Sequence, residues 1–142
     1  MSNTIHIING PNLNLLGTRQ PEIYGNETLE TIESNLQTAF PQLAFSFFQS
    51  NIEGEIIDAI QTSKANGMII NAGGFSHTSV AIADAISSIS IPVISVHISN
   101  IYQREEYRKQ DLISEKCDGA IIGLGINGYE LAIDCLMDKW NE

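Results

Sequence analysis

An α/β fold of three layers, built on a five-stranded parallel sheet, is what this sequence predicts, and three observations predict it. Short apolar runs alternate five times with longer stretches whose apolar residues recur at helical spacing. Such alternation implies parallel strands joined by right-handed crossovers, with helices on both faces of the sheet. Polar, glycine-rich clusters follow the first four apolar runs, where open sheets of this kind bind ligands. A chain of 142 residues is most simply one domain, residues 1–142, with room for such a core.

Thr4 to Asn9 reads as a buried strand, short and rich in Ile. The stretch from Asn9 to Gly25, NGPNLNLLGTRQPEIYG, is too rich in Gly, Pro and Asn for helix or strand. A loop of that length in a compact domain is usually a lid or a binding loop, and residues about 18–26 are the expected lid. Leu29, Ile32, Leu36 and Phe40 then recur at helical spacing, with Asn26 or Thr28 to cap the helix and Pro41 to end it. Leu43 to Gln49 is the second strand. Glu53 to Ala65 is a helix with Ile56, Ile57 and Ile60 inward. Gly67 to Asn71 is the third strand, and Thr78 to Ile89 a helix turning Val80, Ala81, Ala85 and Ile89 to the sheet. Pro92 to His97 is the fourth strand, and Arg104 to Gln110 a short charged helix. Gly119 to Gly123 is the fifth strand, and Tyr129 to Trp140 a closing helix with Leu131, Cys135 and Leu136 inward. At this length the expected arrangement is flavodoxin-like, strand order 2-1-3-4-5, with the site where the order switches between strands one and three.

The formal net charge is -10, which argues against nucleic acid or an anionic membrane surface as a partner. No apolar stretch approaches the roughly 20 residues that cross a bilayer. Cys117 and Cys135 are the only cysteines, too few for a disulfide framework, and a reduced, cytoplasmic setting is expected. The three arginines, Arg19, Arg104 and Arg108, all fall in the polar loops, and a guanidinium fork suits a carboxylate.

Tyr24 shares the first loop with Arg19. A phenol has a pKa of roughly 10 and serves as a base only where a nearby cation favours the phenolate; Arg19 is the candidate cation. His77 and His97 follow neighbouring strands, placed to pass a proton or to donate a hydrogen bond. No HxH or HExxH spacing marks a metal site. Gly123 to Gly128 matches GxGxxG, yet the chain ends before the acidic residue that would complete a dinucleotide fingerprint, so these glycines read as a tight strand-to-helix turn. Ser76 or Ser79 beside His77 is the alternative of a serine hydrolase, though no GxSxG elbow is present. A helix starting near Thr78 offers free N–H groups to a carboxylate instead. A second alternative is a non-catalytic flavodoxin-like binder of a small anion, disfavoured because the first loop carries Arg and Tyr in place of a short phosphate loop.

These residues together resemble the type II 3-dehydroquinate dehydratase family over nearly the whole chain. The motifs are NGPNLNLLGTRQPEIYG at 9–25, QSNIEGE at 49–55, NAGGFSHTS at 71–79, VHISNIYQREEYR at 96–108 and GLGINGYELA at 123–132. The resemblance implies removal of water from 3-dehydroquinate to give 3-dehydroshikimate through an enolate, a step of the shikimate pathway to aromatic amino acids. It implies a dodecamer built as four trimers, with no metal and no cofactor. It makes Tyr24 the general base, aided by Arg19, Asn12 the holder of a water at the oxyanion, and His97 the acid for the departing hydroxyl. Asn71, His77, Ile98, Ser99 and Arg108 become substrate-binding residues, the backbone N–H groups of Ile98 and Ser99 holding the carboxylate. Asp84 becomes a contribution to a neighbouring subunit's site. Two positions depart from the family. Ser95 stands where a glutamate commonly supports the acid histidine, and Asp111 stands where a small hydroxyl residue is common. A hydroxyl accepts the same hydrogen bond without charge, so His97 is expected to hold its proton less readily here than in relatives; the alternative is an acidic group from a neighbouring loop in place of that glutamate.

Overall fold

The computed structural model describes residues 2–142. Five strands, β1 (Thr4–Asn9), β2 (Ala44–Gln49), β3 (Gly67–Asn71), β4 (Val93–His97) and β5 (Gly119–Ile122), pair in parallel in the order β2-β1-β3-β4-β5. The helices are α1 (Pro21–Tyr24), α2 (Leu29–Ala39), α3 (Glu53–Thr62), α4 (Val80–Ser87) and α5 (Asn127–Trp140).

Strand alternation sorts the core into two. Ile5, Ile7, Ile69, Ile94 and Val96 pack against α2 and α5, through Leu29, Ile32, Leu36, Tyr129, Ile133 and Leu136. Ile8, Met68, Ile70 and Val93 face the other way, against Ile56 and Ile60 of α3 and Ile82 and Ile86 of α4. Each fully buried isoleucine contributes about 1.5–3 kcal/mol relative to exposure. The central strands β3 and β4 are buried along their whole length, as strands covered on both faces must be.

The helix ends follow local hydrogen bonds. Thr28 Oγ1 caps α2 by accepting from Thr31 N, and Pro41 follows its end. α3 stops at Thr62, short of Ala65, because Ser63 is drawn away. Its hydroxyl bonds His6 Nδ1 on β1 at 3.0 Å and accepts from Ala65 N. α4 begins at Val80, after a 3-10 turn over Gly73–His77. Ser79 Oγ caps it by accepting from Ile82 N at 2.9 Å and donates to Glu53 at 2.6 Å. The carboxylate at this helix start is therefore Glu53, and the N-terminus is not open to a ligand.

Two helical faces differ from expectation. α4 buries Ile82, Ala83, Ala85 and Ile86, while Val80 is exposed. Its sequence is apolar nearly all round, so Asp84, its one charge, decides the orientation and carries Val80 outward one turn earlier. α5 buries Tyr129, Ala132, Ile133 and Leu136, and Leu131 and Cys135 are exposed. Asp134 and Asp138 share that outer stripe and hold it in water. The expected charged helix after Arg104 is a single 3-10 turn, Glu106–Arg108. Within the first loop, α1 and a 3-10 turn over Leu13–Leu15 replace the irregular chain expected there.

At the switch between β1 and β3, Asn9 and Asn71 are in register, and the buried hydroxyl of Tyr129 joins them. It donates to Asn9 Oδ1 at 2.5 Å and accepts from Asn71 Nδ2 at 3.1 Å. Burial pushes this phenol above its usual range, and the hydrogen bond from Asn71 only partly offsets that, so it stays a neutral donor. Tyr129→Phe leaves both amides short of a buried partner, at about 1–3 kcal/mol each. Urea unfolding should show a loss of that order with the slope m unchanged.

Candidate active site

The site starts where β1 ends. Gly10 N donates to Asn71 O at 2.7 Å, and a Cβ on Gly10 would lie 2.4 Å from Ala72 O. Only glycine lets the chain leave β1 this close to β3. Asn12 follows in the left-handed region at φ 70, a conformation asparagine tolerates. Asn51 Oδ1 accepts from Asn12 N at 3.0 Å, and Gln49 Nε2 donates to Gly10 O at 3.1 Å. The Gln49–Asn51 cluster thus props the first loop from behind and does not line the pocket.

The loop then folds over a pocket at the carboxyl ends of β1, β3 and β4. Asn12, Arg19, Tyr24, Asn71, His77, His97, Ile98, Ser99 and Arg108 all line it, together with Arg104. All three arginines of an acidic chain therefore meet in one cavity. Arg104 Nη1 donates to Tyr24 Oη at 2.8 Å and to Ser99 Oγ at 3.2 Å. The Arg19 and Arg104 guanidinium carbons lie 5.0 and 5.3 Å from the Tyr24 ring centroid. Two cations thus flank the phenol ring, and one of them bonds its oxygen. The direct hydrogen bond comes from Arg104, while Arg19, the candidate cation of the sequence, lies beside the ring. Arg108 is held by Glu105, its Nε 3.2 Å from Glu105 Oε2.

His97 closes the pocket floor, and it has a charged partner. Its Nε2 lies 2.7 Å from Asp111 Oδ2, with both side chains buried. This overturns the expectation of an uncharged support at Ser95. The Ser95 hydroxyl bonds Ser114 Oγ at 2.5 Å, and Ser114 Oγ donates to Asp111. Burial alone would raise the Asp111 carboxyl, but the hydrogen bonds from His97 and Ser114 outweigh it and hold it down to about 2. Asp111 is therefore ionised at neutral pH and can only accept, so His97 Nε2 is the donor. His77 lies alongside, ring centroids 6.2 Å apart, with Nδ1 2.7 Å from the Gln110 carbonyl and therefore donating to it.

Past β4 the backbone N–H groups of Ile98 and Ser99 make no hydrogen bond among the described residues, although both residues line the pocket. They are ready donors for an anion. Asn71 is turned inward, its amide shared between Tyr129 and Gly73 N. Asp84 lies elsewhere, exposed on α4. Ser76 is buried and Ser79 is committed to Glu53, so neither is placed as a nucleophile for His77. Gly123 and Gly125 take φ of +85 and +65, making the tight turn into α5. No group of three or more His, Cys, Asp or Glu side chains among the described residues is arranged to hold a metal ion.

The assembled pocket holds a phenol bonded to a guanidinium, an imidazole on a carboxylate, and free backbone donors. Such a set can remove a proton at one atom and deliver one at another. Sequence reasoning placed Arg104 in a polar loop but assigned it no part. It also read Ser95 and Asp111 as separate departures, when together they were the available signal of a carboxylate reaching His97 from another loop.

The family described as dehydroquinase class II matches residues 3–137. A 3-dehydroquinate dehydratase of Clostridium botulinum (strain Hall) is 52% identical over 141 residues, covering 96% of each chain. One from Prochlorococcus marinus (strain NATL1A) is 50% identical over 132 residues, covering 90% of this chain and 91% of that protein. The crystal structure of the type II dehydroquinase from Butyrivibrio crossotus superposes with a TM-score of 0.93 at 43% identity, over 96% of this chain and 98% of that one.

The Asp111 carboxyl also carries a pH signature. Its folded value, about 2, lies below the reference value of 3.8. The unfolded chain therefore binds the proton more readily. The stabilisation, about 2 kcal/mol, is complete above the reference value and is lost as pH falls through the folded one. In urea titrations at several pH values, the gap between wild type and Asp111→Asn should narrow steadily from pH about 4 to pH about 2.

Proposed function

The chain belongs to the class II dehydroquinase family and is a 3-dehydroquinate dehydratase of the shikimate pathway, and we propose that Tyr24 and His97 divide its proton transfers. The observation that carries this division is the pairing within one pocket of Tyr24 on Arg104 with His97 on Asp111. Tyr24, as phenolate, takes the proton from the carbon beside the substrate ketone. The C–H bonding pair becomes the carbon–carbon double bond, and the carbonyl π pair moves onto the ketone oxygen to form the enolate. Asn12 holds a water against that oxygen, the electrostatic stabilisation such an intermediate needs. The enolate then expels the neighbouring hydroxyl, which leaves as water with a proton from His97. The product is the conjugated enone, and substrate and product differ by one molecule of water.

The free N–H groups of Ile98 and Ser99, with Arg108 and His77, bind the carboxylate and hydroxyls of 3-dehydroquinate. Asn71 contributes to that set while bonded to Tyr129. Arg19 reaches the site on the closing lid, completing the base and excluding water. The route uses no metal and no cofactor. Asp84 reaches a neighbouring subunit's site across a trimer interface, and four trimers form a dodecamer in the cytoplasm. Support for the interface comes from the exposed Val80 and Ile52 on the outer side of α3 and α4 and from the half-covered edge strand β2. No helix among the described residues is long and apolar enough to cross a membrane.

Absorbance of the enone formed from 3-dehydroquinate tests the function, with chelator expected to leave the rate unchanged. Tyr24→Phe should lower kcat on the order of 10² to 10⁴-fold while KM moves little, because the phenolate acts in the transition state. Near-full turnover in that variant would remove Tyr24 from the role. Arg104→Lys should also slow kcat, since an ammonium cannot bond Tyr24 and Ser99 through one planar fork. Light scattering should report the dodecamer; a stable, fully active monomer would contradict the assembly.

A further inference from the structure

We propose that Asp111, delivered by the loop after Arg108 and locked by Ser114 and Ser95, is the positioning residue that makes His97 an acid in this chain. The inference rests on the reading that His97 protonates the leaving hydroxyl, and it adds the group that lets His97 do so.

The carboxylate is fully engaged. Its Oδ1 accepts from Ile113 N at 3.1 Å and Ser114 N at 2.9 Å. Its Oδ2 accepts from the Ser114 hydroxyl and from His97 Nε2 at 2.7 Å. Four donors surround two oxygens, and the side chain is only 8% exposed. Because Ser114 spends its hydroxyl proton on Asp111, it must accept from Ser95, which donates across 2.5 Å. The chain of donation runs Ser95 to Ser114 to Asp111, and His97 donates from the other side. Ser95 is thus the far anchor of the carboxylate that holds His97.

This arrangement decides which nitrogen does the chemistry. Nε2–H is committed to Asp111. Nδ1 has no hydrogen-bond partner, yet no buried, unpartnered side-chain nitrogen or oxygen exists among the described residues. Nδ1 is therefore open to the pocket that His97 lines. To give a proton from Nδ1 while Nε2 keeps its own, the ring must begin as imidazolium, and the adjacent carboxylate stabilises that cation. In the transfer, the Nδ1–H bond breaks and its proton joins the departing hydroxyl. The carbon–oxygen pair leaves with the water, and the ring is left neutral and still anchored through Nε2–H.

A bland account is also possible: Asp111 could simply shape its turn by accepting from the two backbone N–H groups. Asparagine can make that same turn, so Asp111→Asn separates the accounts. It keeps the turn acceptor, removes the charge, and lets an amide N–H press on Nε2, reversing the tautomer. A second variant rebuilds the charge from β4. Ser95 lies two residues before His97 on β4, on the same face and one hydroxyl away from the Asp111 carboxylate. Ser95→Glu combined with Asp111→Ser therefore aims a carboxylate at Nε2 from the strand.

The experiment is steady-state kinetics on the full-length, assembled enzyme with 3-dehydroquinate. Asp111→Asn should lower kcat by about 10²-fold or more with KM within a few-fold. Asp111→Ser should do the same, and adding Ser95→Glu to it should recover kcat at least tenfold. Wild-type kcat in folded Asp111→Asn would overturn the proposal. If that variant does not fold, the exchanged pair decides: no gain over Asp111→Ser alone overturns it. Undiminished kcat in folded His97→Ala would instead overturn the reading of His97 on which the proposal rests, so the two failures are told apart.

Discussion

The architecture of the site depends on one buried hydroxyl. Tyr129 reaches from the last helix to the ends of β1 and β3, where the strand order reverses and the two connections diverge. Parallel strands that part company leave their last polar groups facing each other over a gap. Asn9 and Asn71 are those groups, and without a third partner they would be buried and short of hydrogen bonds. With it, the gap has a rigid floor. The first loop can then leave β1 past Ala72 at a distance only Gly10 permits, and the pocket is set above that floor. Packing of α5, pairing of the central strands and placement of the substrate-facing loops are one structural fact.

Electrostatics are arranged on two scales. At long range a chain of net charge -10 repels an anionic substrate. At short range three guanidinium groups and two unpaired N–H groups reverse that sign inside the cavity. The near field dominates, because it acts in a partly desolvated space while the outer charge is screened within about 8 Å at physiological salt. Glu105 and Asp111 temper the local excess. Glu105 pairs with Arg108 at 3.2 Å and with Arg104 at 3.8 Å, Asp111 holds His97, and Arg19 and Arg104 flank the Tyr24 ring.

Much of this was legible in the sequence. Strand positions came through because apolar runs of four to six residues have few alternatives, and the order followed from length and alternation. The pocket was legible because polar residues at strand ends have only one place to go in such a sheet. Helix faces were less legible. In α4 nearly every position is apolar, so a single aspartate fixes the rotation, and periodicity has nothing to measure. Contacts between loops were the least legible. The bond from Arg104 to Tyr24 spans eighty positions, and the reach of Asp111 to His97 needs a 3-10 turn to aim it. A residue-by-residue comparison sees Ser95 and Asp111 as two losses; space shows a carboxylate on a different tether.

The contact between Tyr24 and Arg104 has a further consequence for the catalytic cycle. The hydrogen bond to the proposed base also fastens the first loop to the wall after β4, in a segment bounded by Gly17 and Gly25 at positive φ. Activation and closure therefore share one latch. Under the proposed role of Tyr24, strengthening it favours the phenolate and slows the door; weakening it speeds exchange of substrate and product at the expense of the chemical step. Selection on such a latch acts on a compromise, and the fastest enzyme is one in which neither half of the cycle is at its own optimum.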